Sequence, residues 1–224
     1  VSSSLALLGL GHSLSPQPRR RRRFLVVVAL TSSVMSVGPL EESEIEAYSA
    51  VLSDAFAAKR DHCCQWCGTS SRSQDIREQC AVVRRDWHIL KQQTAVYRDE
   101  GRVLGGICVK LHGQKGNETL PPMLRHAAEP NECYVETAGV REDARGKGIG
   151  KQLLDWADAF AKARGCTRIT LHVSSNNPAI RLYKRHGYEI KSSPARVCAP
   201  FWLLAIGVPG FCSMQKDFGV SQQN

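Results

Sequence analysis

From Glu41 to Lys59 the apolar residues Ile45, Tyr48, Leu52, Ala55 and Phe56 recur at helical spacing. Glu41, Glu42 and Glu44 cluster at the start, where the helix dipole favours negative charge, so this stretch predicts a first helix. The Cys- and Ser-rich stretch from His62 to Ser73 breaks the pattern; Ile76 to Leu90 then predicts a second helix with Ile76, Cys80, Val83 and Trp87 on one face. Ala95–Tyr97 and Val103–Leu111 are β-rich runs separated by Asp99-Glu100-Gly101, a hairpin signal. A polar loop containing Pro121-Pro122 covers residues 113–130. Cys133–Val140 predicts a strand and Gly148–Arg164 an amphipathic helix. Arg168–Val173 predicts a strand, with Ile169, Leu171 and Val173 alternating. Ala179–Arg185 predicts a short helix, and two or three more strands follow between Tyr188 and Phe218. By element order alone, the second half implies largely parallel pairing with a crossover.

A chain of 224 residues with 42% hydrophobic content can bury one sizeable core, so one domain with appendages is expected, and one site. Residues 1–34 read as a leader. They contain no acid and are rich in Ser, Leu and Arg, which is the composition of an organellar transit peptide. An Arg-rich run before a short apolar stretch also resembles a signal peptide, and misassigned sequence ahead of Met35 is a further reading. The folded domain is expected over residues 35–224.

The formal charge of +9 raises nucleic acid as a partner, but Arg19 to Arg23 alone carry five of those charges. No acid precedes Glu41, so the chain beyond the leader keeps +4, ordinary for a protein that binds a phosphorylated ligand. The basic run is short and has no interleaved aromatics, which argues against nucleic acid. The longest apolar run, Phe24 to Leu30, is far below the ~20 residues of a membrane-spanning helix. An odd count of nine cysteines without a regular framework suits a reducing compartment. The cytoplasm is therefore expected, with mitochondrion or plastid the alternative if the leader is a transit peptide. Cys63, Cys64, Cys67, Cys80 and His88 could supply zinc ligands, but their spacing does not repeat, so no metal is assigned and packed or reactive thiols are the plainer reading.

The chemistry concentrates between the strand ending at Val140 and the helix that follows. Gly146, Gly148 and Gly150 let a backbone approach a ligand closely and turn successive N–H groups outward at a helix N-terminus, which makes an anion cradle. Arg145, Lys147 and Lys151 add positive charge suited to a diphosphate. Two other nucleotide motifs fail on these letters. A dinucleotide fingerprint needs glycine where Lys151 stands, and a P-loop needs Ser or Thr where Gln152 stands.

Arg145-Gly146-Lys147-Gly148-Ile149-Gly150 resembles the signature of the GCN5-related N-acetyltransferase (GNAT) family: Arg or Gln, any two residues, Gly, any residue, Gly or Ala. A second motif of that family is matched by Asn176, Ala179, Tyr183, Gly187 and Tyr188. The resemblance is clearest over residues 133–191, while residues 40–112 match by element order. It implies an α/β (α+β) fold with a mixed, mostly antiparallel sheet of six to seven strands flanked by helices. The central strands would splay around acetyl-CoA, the co-substrate. Ala138, Gly139 and Val140 would hydrogen-bond the pantetheine arm through the backbone, and Arg145 to Lys151, including Ile149, would hold the diphosphate. Asn176 would lie near the arm.

A lysine-type amine, pKa ~10.4, must lose a proton before it attacks, and the departing thiolate benefits from gaining one. The resemblance makes Tyr183 the acid. Glu136 on the central strand is the candidate base, with Glu132 at the same side-chain parity and Tyr134 where some histone-modifying members carry Glu. His172 and His186 can titrate near neutrality, but a lone histidine is more often structural and both stay outside the site. The function expected is direct acetyl transfer to a primary amine of a protein or small molecule; the alternative is an acyl-CoA-binding module without turnover.

Overall fold

The structure is a computed structural model that describes residues 36–60, 72–114, 126–193 and 210–219. The leader, the Cys63–Cys67 cluster and Pro121-Pro122 lie outside them. Its strands are β1 (Ser36–Pro39), β2 (Thr94–Asp99), β3 (Arg102–Leu111), β4 (Glu132–Val140), β5 (Arg168–Ser174), β6 (Glu189–Ser192) and β7 (Phe211–Asp217). The helices are α1 (Ile45–Arg60), α2 (Arg72–Arg85), α3 (Trp87–Gln93), α4 (Ile149–Ala163) and α5 (Ile180–Arg185). The strands form one seven-stranded sheet in the order β1-β2-β3-β4-β5-β7-β6.

Side-chain alternation explains the layering. On β2, Ala95 and Tyr97 join the core beneath α4, while Val96 joins a second core with Ile45, Tyr48, Val51 and Leu52 of α1 and Cys80 and Val83 of α2. The amphipathic stripe of α4, Leu153, Leu154, Ala157 and Ala161, covers Ile107, Val109, Cys133, Val135, Ile169 and Leu171. The sheet is therefore sandwiched between α1–α2 and α4, with Leu182 and Tyr183 of α5 packed on the α4 side. Cys80, Cys108, Cys133, Cys166 and Cys212 are buried free thiols, and burial pushes the Cys108 thiol up to about 12, so it packs as an unreactive apolar group. Among the described residues no group of side chains could hold a metal ion, and no helix is long and apolar enough to cross a membrane.

The turn between β2 and β3 is a tight hairpin, with Glu100 at φ 49° and Gly101 at φ 74°, the two left-handed residues that match strand twist. The expected single second helix is two helices. The chain bends at Asp86, whose carbonyl accepts the Ile89 and Leu90 N–H groups while its carboxylate is clamped by Arg85. The bend turns Trp87 and Leu90 onto the α1–α2 core. The largely parallel second half also needs correction: only β4 and β5 pair in parallel. β7 inserts between β5 and β6 and pairs antiparallel with both, because the chain leaves α5 to the sheet's outer edge and returns inward. β1 was not expected, as Ser36-Val37-Gly38-Pro39 offers one apolar side chain and is held by backbone pairing to β2.

Candidate active site

The β4–β5 ladder runs only from Glu132↔Arg168 to Val135↔Leu171. Beyond it, residues 137–140 pair with β3 alone and His172 to Ser174 with β7 alone, so the middle of the sheet opens. The cause is local. On the β3 side, Val109 pairs with Val135 and the adjacent Cys108 with Thr137, leaving Glu136 as the extra residue of a β-bulge. A bulge bends its strand and raises its twist, and here it turns β4 away from β5 at the last shared pair.

Past the opening the chain makes a 3-10 turn, Glu142–Ala144, and enters α4 through two left-handed glycines, Gly146 at φ 80° and Gly148 at φ 79°. A Cβ on either would meet nothing within 4 Å, so both face open space. The first backbone bonds into α4 are donated by Lys151 and Gln152, both to the Gly148 carbonyl, and Arg145 bonds back to Glu142. The N–H groups of Gly146 to Gly150 donate to no backbone carbonyl among the described residues. Undonated N–H groups at the positive end of a fifteen-residue helix have the geometry to receive an anion.

The three glycines are not equivalent. At Gly150 a Cβ would come within 2.8 Å of Leu182 Cδ2, so that glycine serves the packing of α4 on α5. Gly139 likewise faces α1, where a Cβ would lie 2.8 Å from Ala55 Cβ. Ala138 and Val140 point to the α4 core. The basic residues also differ. Lys147 is exposed, Arg145 turns its Nε onto the Val140 carbonyl at 3.3 Å, and Lys151 is paired with Asp155 at 2.7 Å. Asn176 accepts the Ser174 hydroxyl at 2.6 Å, just past the C-terminal end of β5, beyond its last pair with β4.

Tyr183 sits on α5 with its ring edge-on to Tyr188, centroids 5.9 Å apart. Burial pushes its phenol up to about 12, so the hydroxyl keeps its proton throughout the physiological range. Glu136 is placed differently from a free base: its carboxylate lies 2.6 Å from Lys110 Nζ, with side chains 13% and 11% exposed. Glu132 is more deeply held. Burial would raise its pKa, but hydrogen bonds from the Thr170 hydroxyl, the Glu129 N–H and His126 overcome this and keep it below the ordinary carboxylate value.

Sequence reasoning missed a cluster on the face opposite α4. His126, Tyr134 and His172 group their rings with centroids 4.4, 5.1 and 5.7 Å apart, and His172 Nδ1 is 3.4 Å from the Tyr134 hydroxyl. The signal available was alternation: Tyr134 lies between Cys133 and Val135, and His172 between Leu171 and Val173, which all face the α4 core. Pairing the two strands in register would have brought the polar partners together. His186 is structural, its side chain 6% exposed and set between Asp155 and Asp158, with Lys216 on Asp158.

A family model described as "Acetyltransferase (GNAT) family" matches residues 56–188. The chain is 36% identical over 117 residues to a mycothiol acetyltransferase of Saccharomonospora viridis, covering 51% of this chain and 35% of that protein. It is 48% identical over 58 residues to the chloroplastic GCN5-related N-acetyltransferase 4 of Arabidopsis thaliana, covering 25% and 20% of the two. The chain thus spans about a third or less of the length of these two relatives. The crystal structure of the PaiA N-acetyltransferase of Thermoplasma acidophilum in complex with coenzyme A matches at TM-score 0.56 and 14% identity, over 82% of this chain and 99% of that one. At that identity the likeness is one of fold.

Proposed function

We propose, because this chain belongs to the Acetyltransferase (GNAT) family, that it moves an acetyl group from acetyl-CoA directly to a primary amine. The observation that carries this reading is the coincidence of two features at one place. The sheet opens between β4 and β5, and immediately after that opening a helix begins with open, left-handed glycines and undonated N–H groups. The cradle offers a diphosphate N–H groups and positive charge, and beyond the last β4–β5 pair, Val135 with Leu171, the backbone of Thr137 to Val140 has no pairing to β5. Acetyl-CoA would supply an activated thioester carbonyl; everything else is supplied by the chain.

Gly146 to Gly150, with Lys147, hold the diphosphate through N–H groups and charge. The open edge at Ala138 to Val140 takes the amide groups of the arm, with Asn176 across the gap, and a β4 N–H polarises the thioester oxygen. Tyr183 holds a proton that its burial keeps in place and delivers it to the departing thiolate. Lys110 and Glu136 fix a balanced charge pair on the acceptor side of the sheet. The acceptor is an amine of a protein, at lysine or an N-terminus, or of a small molecule. The compartment is the cytoplasm, with the plastid as a second reading favoured by the chloroplastic relative.

Release of free coenzyme A thiol tests the reading, using acetyl-CoA with a panel of spermidine, arylalkylamines, a lysine peptide and a peptide with a free N-terminus. Amine-dependent release by the full chain is expected for at least one member. Binding of acetyl-CoA with no release across the panel would instead fit an acyl-CoA-binding module without turnover.

A further inference from the structure

Resting on that acetyl-transfer reading, we propose that His172 takes the proton of the acceptor amine, positioned by Tyr134 and backed by the His126–Glu132 pair. His172 is the first residue of β5 beyond the last β4–β5 pair, so it stands where the sheet opens. It lies on the face shared with α1 rather than the α4 core, since Leu171 and Val173 on either side of it belong to that core. Its Nδ1 is within reach of the Tyr134 hydroxyl at 3.4 Å. With Nδ1–H donated to that oxygen, Nε2 carries the lone pair. Behind it, His126 Nε2 is 2.8 Å from Glu132 Oε1, and Glu132 is itself locked by Thr170 and the Glu129 N–H. A buried carboxylate thus anchors one ring, that ring packs the next, and the last ring ends at the opening.

The step balances. Before attack, one proton of the bound ammonium goes to His172 Nε2, and the N–H electron pair stays on nitrogen as the lone pair that then bonds to the acetyl carbon. The C–S bond breaks with its pair on sulfur, the thiolate takes the Tyr183 proton, the second ammonium proton leaves the product nitrogen to restore Tyr183, and His172 releases its proton to water.

Charge supports the same assignment. The groups acting on His172 are Tyr134 and Glu132 on β4, His126 before β4 and Ser213 opposite it on β7, with Arg168 paired to Glu129 and Glu132 behind them. Desolvation, and then the neighbouring His126, lower the pKa of the exposed His172 side chain, with Glu132 pulling it back up. The imidazole is therefore neutral at pH 7 and able to accept. Glu136 is the poorer base, because protonating it would strip a nearly buried Lys110 of its counter-charge.

Two measurements on the full chain test this. In histidine NMR titrations His172 should ionise below the ordinary ~6.5, and His126→Gln, which removes a neighbour that lowers it, should raise it. In kcat/KM against pH, with the fastest alkyl amine of the panel, His172→Gln should lose ~10²–10⁴-fold and its acidic limb. Hydroxylamine, already unprotonated at neutral pH, should be acetylated within about tenfold of wild type, and acetyl-CoA affinity should not change. His126→Gln should move the acidic limb to higher pH. A His172→Gln enzyme within about threefold of wild type, or one that loses both nucleophiles equally with its acidic limb intact, overturns the proposal. So does loss of that limb in Glu136→Gln alone. A wild type that binds acetyl-CoA but acetylates no amine overturns the transfer reading itself, and the NMR titration then still reports whether the ring cluster exists.

Discussion

At the scale of single residues, the site is built from side chains whose surroundings decide what they can do. Tyr183 and Glu136 were both named from the sequence, and the structure treats them oppositely. Tyr183 lies in apolar surroundings that hold its proton, with its pKa pushed up to about 12, whereas Glu136 is tied to Lys110. Tyr183→Phe should therefore lower kcat ~10²-fold or more with acetyl-CoA affinity unchanged. Because burial raises its pKa, the wild type should show no alkaline loss from this phenol between pH ~8 and ~10, where an ordinary tyrosine would begin to ionise. An alkaline limb in that range that disappears in the Phe variant would contradict the assignment. The motif letters located Tyr183; they carried no information on Lys110, which comes from β3 by a register that no local pattern specifies.

Individual elements were legible wherever one face is apolar. α1, α4, β3 and β5 appear within a few residues of their expected spans because their stripes are uninterrupted. β1 was not legible, and neither was the break between α2 and α3, because one depends on backbone pairing and the other on a single clamped Asp86. The bulge at Glu136 is the most consequential feature hidden from the letters: one extra residue opens the sheet and also decides which face Thr137 and Gly139 take. Gly139 is a test of that register. Its Cβ position lies 2.8 Å from Ala55 on α1, so Gly139→Ala should destabilise the fold by ~1–3 kcal/mol. Gly113, where a Cβ meets nothing within 4 Å, should lose only the ~1 kcal/mol of left-handed strain on the same change. Urea midpoints of the two variants compare them directly; a Gly139→Ala protein as stable as wild type would place Gly139 on the wrong face.

For the molecule as a whole, element order in the second half suggested parallel pairing, and the mixed, mostly antiparallel sheet came instead from the family resemblance. Alternating strands and helices do not reveal that β7 returns to insert beside β5. The two motifs, far apart in the chain, do converge: α4 starts at the cradle, and α5 packs through Leu182 against Gly150 on α4. Overall charge carried little, since five of the nine excess positive charges lie in Arg19 to Arg23. Under the proposed function, Gly146 and Gly148 open a diphosphate cradle at the mouth of the split sheet. Calorimetric titration of acetyl-CoA into the wild type and a Gly146→Glu, Gly148→Glu variant tests it most directly, because both positions face open space and a carboxylate there repels phosphate without disturbing the core. The expected result is a Kd of about 1 μM for the wild type, weakened at least about a hundredfold in a variant that still unfolds cooperatively, its urea midpoint lowered only by the left-handed strain of about 1 kcal/mol at each substituted glycine. Equal affinity in the two proteins, or no binding by a folded wild type, would contradict the cradle and the acetyl-transfer account built on it.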